Sequence, residues 1–351
     1  MIAFPKKVLF VGDGNQNGYI YMRSLAIKKL VQSMDMVDTN RYINPQEKIK
    51  YHLAYRFQFK SLLKNLNNAI VQKVNSRSYD LVWFEKPIFI FGSTLKYINR
   101  KNICTVSLNP DNPFGPRDDG CWNVYLKNIN LYNHHIIMRR SNFRDLKKMG
   151  VKNIHFIPLC YEKSIFFKDE GIDENKKKFD VTFVGTPYDK RMDLIDQLSK
   201  KLDIRIHVYS AEWKKFEKQL GSRKNIVIND EIYQSGYREI INKSKIMLGF
   251  ITKSNVDEIS YRSFEITACG SFLLSERTRF QKRFFREDKE AGYFDGIDEC
   301  AEKIKYYLAN PLERIKLELS GYRRAQELDL TNDYVVKRAL SKLFRDSFNP
   351  F

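Results

Sequence analysis

The stretch that decides the fold is residues 262–276, which read RSFEITACGSFLLSE. We expect Glu265 to open a short helix and Gly270 to end it in the left-handed conformation that glycine tolerates. The apolar run Phe272–Leu274 predicts a buried strand of a parallel sheet. Because ligands of such sheets bind at the rim, this junction is the first candidate binding site.

Apolar, strand-sized runs alternate with helical stretches along the 351 residues, which is typical of a doubly wound parallel α/β fold. Strands are predicted near 7–11, 81–85, 103–107, 135–138, 154–157, 181–184, 204–208, 226–228, 245–250 and 272–274. One long helix is predicted near 57–74, and the chain from residue 298 onward is predicted to be helical. The pattern therefore predicts two Rossmann-like halves followed by helices.

The chain carries a formal net charge of +19. This excess favours polyanionic partners, although a solvated, solubilising surface is the simpler interpretation of any one cluster. No apolar run approaches the ~20 residues that span a bilayer. Residues 8–11 predict a first strand rather than a signal peptide, and five scattered cysteines without a CxxC spacing indicate free thiols in a reducing cytoplasm.

A glycine-containing loop, VGDGNQNG, spans residues 11–18 between the first strand and the first helix. Gly12 and Gly14 would let backbone N–H groups approach a phosphate or a sugar, and Asp13 is the side chain best placed to touch substrate. The spacing is not the dinucleotide fingerprint, and no acidic residue obviously marks the end of a second strand. A plain tight turn between strand and helix is the alternative.

Residues 262–274 also resemble the R-x-F-E-x-x-A-C-G-x-x-x-L signature of CgeB-like glycosyltransferases, relatives of the group 1, family 4 sugar transferases. The resemblance is strongest over 178–330, weaker over 133–170, and architectural only before about residue 130. It implies a GT-B fold, in which two Rossmann-like domains with a cleft between them are followed by a C-terminal helical segment.

This resemblance suggests the domain boundaries. We expect an N-terminal, acceptor-side domain over 1–160, a linker over 161–178 and a C-terminal nucleotide-sugar-binding domain over 179–332. A last helix within 333–351 would cross back to complete the first domain.

In the resembled family the glutamate of the signature holds the ribose hydroxyls of a nucleotide-sugar donor, which implies that role for Glu265. A carboxylate can accept two hydrogen bonds from a vicinal diol. Arg262 and Ser263 belong to the same motif and are expected at the donor site. The alternative is that Glu265 only complements the helix dipole.

Residues 183–191, FVGTPYDKR, resemble the family's F-V-G-x-x-x-x-x-R element. The match implies that Gly185 and Thr186 line the donor site and that Arg191 binds the departing diphosphate. A guanidinium suits this task because it stays charged and binds two oxygens at once. A surface arginine beside Lys190 is the alternative.

Asp257 stands eight positions before Glu265, the spacing of the family 4 E-x7-E pair, whose first carboxylate approaches the transferred sugar. The resemblance implies this catalytic role for Asp257, with Glu258 in the neighbouring register and a solvated loop as alternatives. It also implies retention of configuration, while the aspartate keeps inversion open. For inversion a carboxylate must deprotonate the acceptor, and we prefer Asp111 to Glu85.

Tyr209 and Tyr233 follow two predicted strands of the second half and are candidates for stacking on the nucleotide base. Tyrosines at strand ends more often pack than bind, so packing is the alternative for both.

The sequence as a whole predicts a cytoplasmic glycosyltransferase of the hexosyltransferase type, with a nucleoside-diphosphate sugar as substrate and no cofactor. Metal is expected to be unnecessary because Arg191 and helix N-termini can stabilise the leaving diphosphate. The basic surface predicts an anionic acceptor or peripheral binding to the anionic inner face of the membrane, and no specific nucleic acid is expected.

Two alternatives from other classes remain open at this stage. A GT-B sugar-nucleotide epimerase would need acid and base groups around the sugar and no acceptor. A non-catalytic nucleic-acid-binding protein is suggested by charge alone, and the chain lacks RRM, KH or helix-turn-helix signatures.

Overall fold

The computed structural model describes residues 4–115, 120–171, 174–220 and 224–345. The chain divides into two compact units, each with its own parallel sheet. Unit 1 comprises Met1–Pro158 and Asn332–Phe351, and unit 2 comprises Leu159–Thr331. The predicted α/β class with two Rossmann-like halves is confirmed.

Unit 1 is built on six parallel strands with helices around them. The strands are β1 (Lys7–Gly12), β2 (Ser33–Asp38), β3 (Leu81–Glu85), β4 (Cys104–Asn109), β5 (His134–Ile137) and β6 (Ile154–Phe156). The helices are α1 (Tyr19–Leu30), α2 (Lys48–Phe57), α3 (Lys60–Ser76), α4 (Gly92–Arg100), α5 (Asn123–Lys127) and α6 (Ser141–Lys148). The strand order is β2-β1-β3-β4-β5-β6, and the inner strands are almost wholly buried, as in sheets covered on both faces.

Unit 2 repeats this plan. Its strands are β7 (Phe179–Val184), β8 (Ile206–Tyr209), β9 (Ile226–Asn229), β10 (Ser244–Gly249), β11 (Phe272–Glu276) and β12 (Gly292–Phe294). Its helices are α7 (Arg191–Lys201), α8 (Glu217–Leu220), α9 (Gln234–Asn242), α10 (Tyr261–Ala268), α11 (Ile297–Ala309) and α12 (Pro311–Leu328). The strand order is β12-β11-β10-β7-β8-β9.

The last helix, α13 (Asn332–Arg345), packs against α1 within unit 1. Its apolar face is fully buried, and its members are Val335, Val336, Ala339, Leu340 and Leu343. Lys29 of α1 also pairs with Asp333 across 2.8 Å. None of the described helices is both long enough and apolar enough to cross a bilayer.

The junction between α10 and β11 forms largely as predicted. Gly270 has a φ of +70° and donates its N–H to the carbonyl of Thr267 at 3.0 Å. The run Phe272–Leu274 is buried and pairs in parallel with β10. The left-handed glycine and the buried strand are therefore both confirmed.

The expected position of Glu265 at the start of its helix is wrong. Helix α10 begins at Tyr261, and Ser260 caps it by accepting the N–H of Arg262 at 3.3 Å. Glu265 lies one turn further on and is fully buried. A carboxylate in that position does not serve the helix dipole, whose effect fades within the first turn.

Three further elements differ from the sequence predictions. The helix predicted near 57–74 is α3, which begins only at Lys60, and α2 before it was not predicted; Gln58, with a left-handed φ of +53°, separates the two. Strand β2 was not predicted because Val37 is its only fully buried residue. Strand β12, three residues long, was too short for its pattern to be recognised.

Candidate functional site

The candidate site of unit 2 is built around Gly185, which directly follows β7. Its φ is +154°, and a Cβ there would lie 2.7 Å from Nη2 of Arg262. The Gly185 N–H donates to the carbonyl of Tyr209 at 2.9 Å, and its carbonyl accepts from Nε1 of Trp213 at 2.8 Å. The backbone is thus held from both sides, and glycine is needed for the guanidinium to lie against it.

Arg191 is the first residue of α7 and is more deeply buried than Arg262, the other predicted site residue with a positive charge. It is 4% exposed, and it donates to the carbonyl of Thr186 at 3.0 Å and to Oγ1 of Thr252 at 2.9 Å. Its Nε is buried and has no acceptor within the part of the chain that the structure describes. Burial, followed by the charge of Arg262, lowers the pKa of Arg191 to about 10, so it stays cationic at neutral pH.

Arg262 places a second guanidinium beside the first. Its Nε donates to the carbonyl of Val184, and its guanidinium centre lies 5.9 Å from the ring of Phe183, while that of Arg191 lies 5.7 Å from the same ring. Neither arginine donates a hydrogen bond to a carboxylate anywhere among the described residues. Two neighbouring guanidiniums with no carboxylate bonded to them among those residues would attract an anion.

Glu265 brings a buried negative charge near this pair. Burial raises the pKa of the Tyr237 hydroxyl well above its usual value; the charge of Glu265 raises it further, and that of Arg262 opposes the rise. The pKa of the Cys269 thiol is likewise raised by burial and then by Glu265. Glu265, Arg262 and Tyr237 therefore share one electrostatic environment.

Tyr237 was missed by the sequence analysis. It lies in α9, is 6% exposed and meets the ring of Phe166 edge-on at 5.6 Å. Its hydroxyl is buried and has no hydrogen-bond partner among the described residues. A buried hydroxyl left without a partner costs about 1–3 kcal/mol. Nothing in the sequence distinguishes this tyrosine from a packing residue of an amphipathic helix.

Ser263 lies on the same helix but contacts other groups. It is buried, and its hydroxyl donates to Oε1 of Gln281 at 2.6 Å, whose Nε2 donates in turn to the carbonyl of Glu276 at 2.7 Å. The structure therefore brings Ser263 to the packing of α10 against the segment after β11, rather than to the arginine pair.

Asp257 lies on the loop that follows β10. Its N–H donates to the carbonyl of Thr252 at 3.1 Å, and its Oδ1 accepts from Nδ2 of Asn255 at 3.2 Å. Since Oγ1 of Thr252 also accepts a hydrogen bond from Arg191, two of the predicted catalytic residues, Arg191 and Asp257, bond to the same loop residue. The charge of Asp257 also acts on Arg191 through space.

Two other carboxylates hold this loop in place. Glu276, at the end of β11, accepts the N–H of Ile251 at 2.6 Å and pairs with Lys253 at 3.0 Å. Asp189 accepts the N–H of Lys253 at 2.9 Å. Glu276 is the last residue of the stretch 262–276, yet its role in the loop depends on contacts that sequence spacing does not reveal.

The two predicted base-stacking tyrosines differ in exposure. Tyr209 is 8% exposed at the end of β8, and burial raises the pKa of its hydroxyl. Tyr233 precedes α9 and is 49% exposed. Only Tyr233 offers a free ring surface for stacking in this structure.

The glycine loop of unit 1 satisfies its backbone donors internally. The Gly14 N–H donates to Oδ1 of Asp38 at 2.9 Å, the Asn15 N–H to Oδ1 of Asp13 at 2.7 Å, and the Asn17 N–H to the Asn15 side chain at 3.0 Å. Asp38 ends β2, so an acidic residue does mark the second strand end, contrary to the expectation. These contacts favour the tight-turn interpretation of the loop.

Close packing explains the two glycines that were expected to approach a ligand. A Cβ at Gly12 would lie 2.9 Å from Ile20, and one at Gly14 would lie 2.6 Å from the Asp38 carboxyl carbon. Asp13 itself accepts from Nδ2 of Asn40 at 2.6 Å and lines a cavity of about 180 Å³ that Lys86 also lines.

The two carboxylates weighed as acceptor-side bases have different environments. Glu85 is buried in a bidentate pair with Arg23, at 2.9 and 3.1 Å, which joins β3 to α1. Asp111 is partly exposed and pairs with Lys86 at 2.7 Å. Burial alone would lower the pKa of Lys86, but Asp111 outweighs it and the pKa is raised. Glu85 is thus a structural residue, and Asp111 is the more accessible of the two.

Residues 190–341 match a family model described as glycosyl transferase-like. The matched range lies within the second half of the chain. This match confirms the predicted class of enzyme, a glycosyltransferase. No curated protein sequence matches the chain. The matched range contains most of the predicted donor residues and also the predicted catalytic residue Asp257; the donor residues are Arg191, Tyr209, Tyr233, Arg262, Ser263 and Glu265.

Solved structures show the fold of the whole chain. A sucrose-phosphate synthase from Thermosynechococcus elongatus has a TM-score of 0.71 at 11% identity, covering 98% of this chain and 99% of its own. Anabaena HepE, solved in complex with UDP, has a TM-score of 0.69 at 11% identity over 96% and 99%. A glycosyltransferase from Rickettsia africae has a TM-score of 0.68 at 10% identity over 99% of both chains. The predicted GT-B fold is confirmed by these likenesses.

The candidate site also includes two residues that lie outside the range matched by the family model. Gly185 and Thr186 precede the matched range, but both contact its arginines directly. Gly12, Asp13, Gly14 and Asp111 belong to unit 1, so their predicted roles in substrate binding and catalysis stay predictions.

Proposed function

We propose that the protein transfers a sugar from a nucleoside-diphosphate sugar, bound in unit 2, to an acceptor hydroxyl. The observation that carries the proposal is the pair of guanidiniums at Gly185, which are buried or half-buried and have no bonded carboxylate within the described ranges of the chain. A diphosphate would neutralise both cations. The glycosyl transferase-like domain and the likeness to HepE, solved with UDP, support a nucleotide donor and make UDP the first to test.

The finer assignment follows the CgeB-like signature. Glu265 would accept the ribose hydroxyls, Arg191 and Arg262 would hold the diphosphate, and Tyr233 would stack on the base. Asp257 would face the transferred sugar, with retention of configuration and without a metal ion. An acceptor would bind unit 1, where Asp13 and Lys86 line a cavity and Asp111 pairs with Lys86.

In this arrangement catalysis is positioning together with charge stabilisation. The leaving diphosphate gains negative charge as the glycosidic bond breaks, and two fixed guanidiniums bind it most strongly at that point. The loop bonded to Glu276 keeps Asp257 in place without reorganisation during the reaction.

The test is titration calorimetry with UDP, GDP, ADP and TDP, followed by product analysis with the sugar of the diphosphate that binds. We expect one diphosphate to bind, and Arg262→Lys to weaken it at least about tenfold because a bidentate contact is lost. Arg205→Lys, an exposed arginine of unit 2, is the matched control. Binding of none of the four contradicts the proposal, an isomerised nucleotide sugar supports the epimerase, and salt-sensitive oligonucleotide binding without nucleotide binding supports the nucleic-acid alternative.

A further inference from the structure

Helix α2 of unit 1 has two apolar faces, and only one of them is covered. The inner face consists of Tyr51, Ala54 and Tyr55, which pack on the core of unit 1. The outer face carries Ile49 and Phe57, which are 80% and 54% exposed. With the half-buried Leu53 they stand four residues apart, so they form one continuous stripe along the helix.

The corner after α2 is fixed to unit 1 by one buried side chain. Gln58 donates from Nε2 to the carbonyls of Ile88 and Cys121, at 2.7 and 2.5 Å, and accepts the N–H of Val124 at 2.8 Å. It is 7% exposed and adopts the left-handed conformation that separates α2 from α3.

On either side of this buried glutamine, two phenylalanines point outward. Phe57 and Phe59 are 54% and 50% exposed, and their rings stack with centroids 5.7 Å apart at 18°. A large apolar pair held outward on a rigid corner is unusual for a surface with no partner.

Positive charge surrounds the exposed apolar residues. Residues 41–64 include one acid, Glu47, and six exposed cations, which are Arg41, Lys48, Lys50, Arg56, Lys60 and Lys64. Glu47 is paired with Lys50 at 2.7 Å. The stripe and the phenylalanine pair therefore lie in a strongly basic part of a chain whose net charge is +19.

We propose that this surface, formed by the exposed side chains of residues 41–64, docks on an anionic lipid bilayer. Phe57 and Phe59 enter the boundary between headgroups and acyl chains, Ile49 follows along the helix, and the surrounding lysines and arginines meet the lipid phosphates. Exposed aromatic and aliphatic side chains ringed by cations are the features of interfacial helices. The charge favours a lipid surface over a protein partner, which would need a matching acidic face.

The test is flotation with phosphatidylcholine vesicles, with and without phosphatidylglycerol, at low and high salt. The wild-type protein should float with the anionic vesicles at low salt and lose most binding at high salt. The double variant Phe57→Ser/Phe59→Ser should lower the partition coefficient at least about tenfold. Leu312→Ser, which removes a side chain 73% exposed on α12 of unit 2, should leave it unchanged.

Two double variants with the same change in net charge test whether vesicle binding depends on this surface or only on the total charge of the protein. Lys48→Glu/Lys60→Glu and Lys289→Glu/Lys305→Glu change the net charge equally, at exposed sites of unit 1 and unit 2 respectively. The first should abolish flotation and the second should reduce it only slightly. Circular dichroism and the melting temperature confirm that every variant is folded.

Equal flotation of the two charge variants overturns the proposal, and so does absence of wild-type binding to anionic vesicles at low salt. A sedimentation experiment that shows a dimer converted to a monomer by Phe57→Ser/Phe59→Ser also overturns it, because the surface then serves a second copy of this chain. None of these outcomes depends on nucleotide binding, so the proposed function is tested separately.

Discussion

At the scale of single residues, Glu265 is the most exacting test of the donor site. If it holds the ribose hydroxyls, Glu265→Gln should weaken nucleoside-diphosphate binding by ~1–3 kcal/mol, since a charge-assisted pair is lost. The melting temperature should not fall, because the change removes a fully buried charge and keeps the shape. Calorimetry measures the first quantity and a thermal melt the second, with the exposed Glu302→Gln as control. Unchanged affinity would remove Glu265 from the site.

Arg191 should affect the rate more than the binding of the ground state. Arg191→Lys keeps the charge but loses the planar fork, so we expect kcat to fall at least about tenfold while the donor KM changes less. Initial rates measured over a range of donor concentrations give kcat and the donor KM for both proteins. Equal kcat for the two proteins would contradict a role at the leaving group.

Tyr237 offers a test in which stability and binding move in opposite directions. Its buried hydroxyl has no partner among the described residues, so Tyr237→Phe should raise the free energy of unfolding, by up to about 1 kcal/mol. If the hydroxyl bonds the nucleotide, the same change should weaken nucleotide binding by about 1 kcal/mol. Urea unfolding and calorimetry on one protein give both numbers. A variant that gains stability and loses no affinity makes the residue a packing tyrosine only.

The sequence predicted these residues unevenly, and the reasons are physical. Arg191 and Glu265 stand in spaced motifs, and the structure brings both near Arg262. Glu265 was nevertheless placed a turn too early, because the capping residue, Ser260, precedes the motif. Tyr237 and Glu276 act through neighbours distant in sequence, which no local pattern encodes.

At the scale of elements, the ion pair between α1 and β3 should be the costliest to break. Glu85→Gln leaves Arg23 with an uncompensated buried charge, so we expect a loss of about 3–5 kcal/mol in the free energy of unfolding. Urea denaturation measures it, and Glu47→Gln on the exposed start of α2 is the control. A loss below about 1 kcal/mol would mean that water reaches the pair.

Elements were predicted well where burial is strong and poorly where it is weak. The fully buried β3 was predicted with its observed ends, whereas the half-exposed edge strand β2 was not recognised. Gln58 is a good helix former, so its left-handed conformation could not be expected from propensity. Its cause lies in three hydrogen bonds to distant backbone groups.

At the scale of the whole molecule, unit 1 should depend on the last helix. A chain ending at residue 331 would expose the buried face of α13's partner, α1, and lose five buried apolar side chains. At about 1.5–3 kcal/mol for each large one, the loss exceeds 5 kcal/mol, so unit 1 should unfold or aggregate. Hydrogen exchange should show protection over residues 159–331 and none over residues 7–38. A truncated chain with protected β1 and α1 would contradict this.

The placement of α13 also sets the order in which the protein is made. The ribosome releases nearly all of unit 1 first, then the whole of unit 2, and only then the helix that covers α1. At about 5–20 residues per second, synthesis of residues 159–331 takes roughly 10–35 s. During that time Ala26 and Ile27, which are buried in the finished protein, are exposed on the growing chain, where chaperones can bind them. Unit 1 can thus be completed only after the whole of unit 2 has been made, and its α1 surface stays uncovered in that interval.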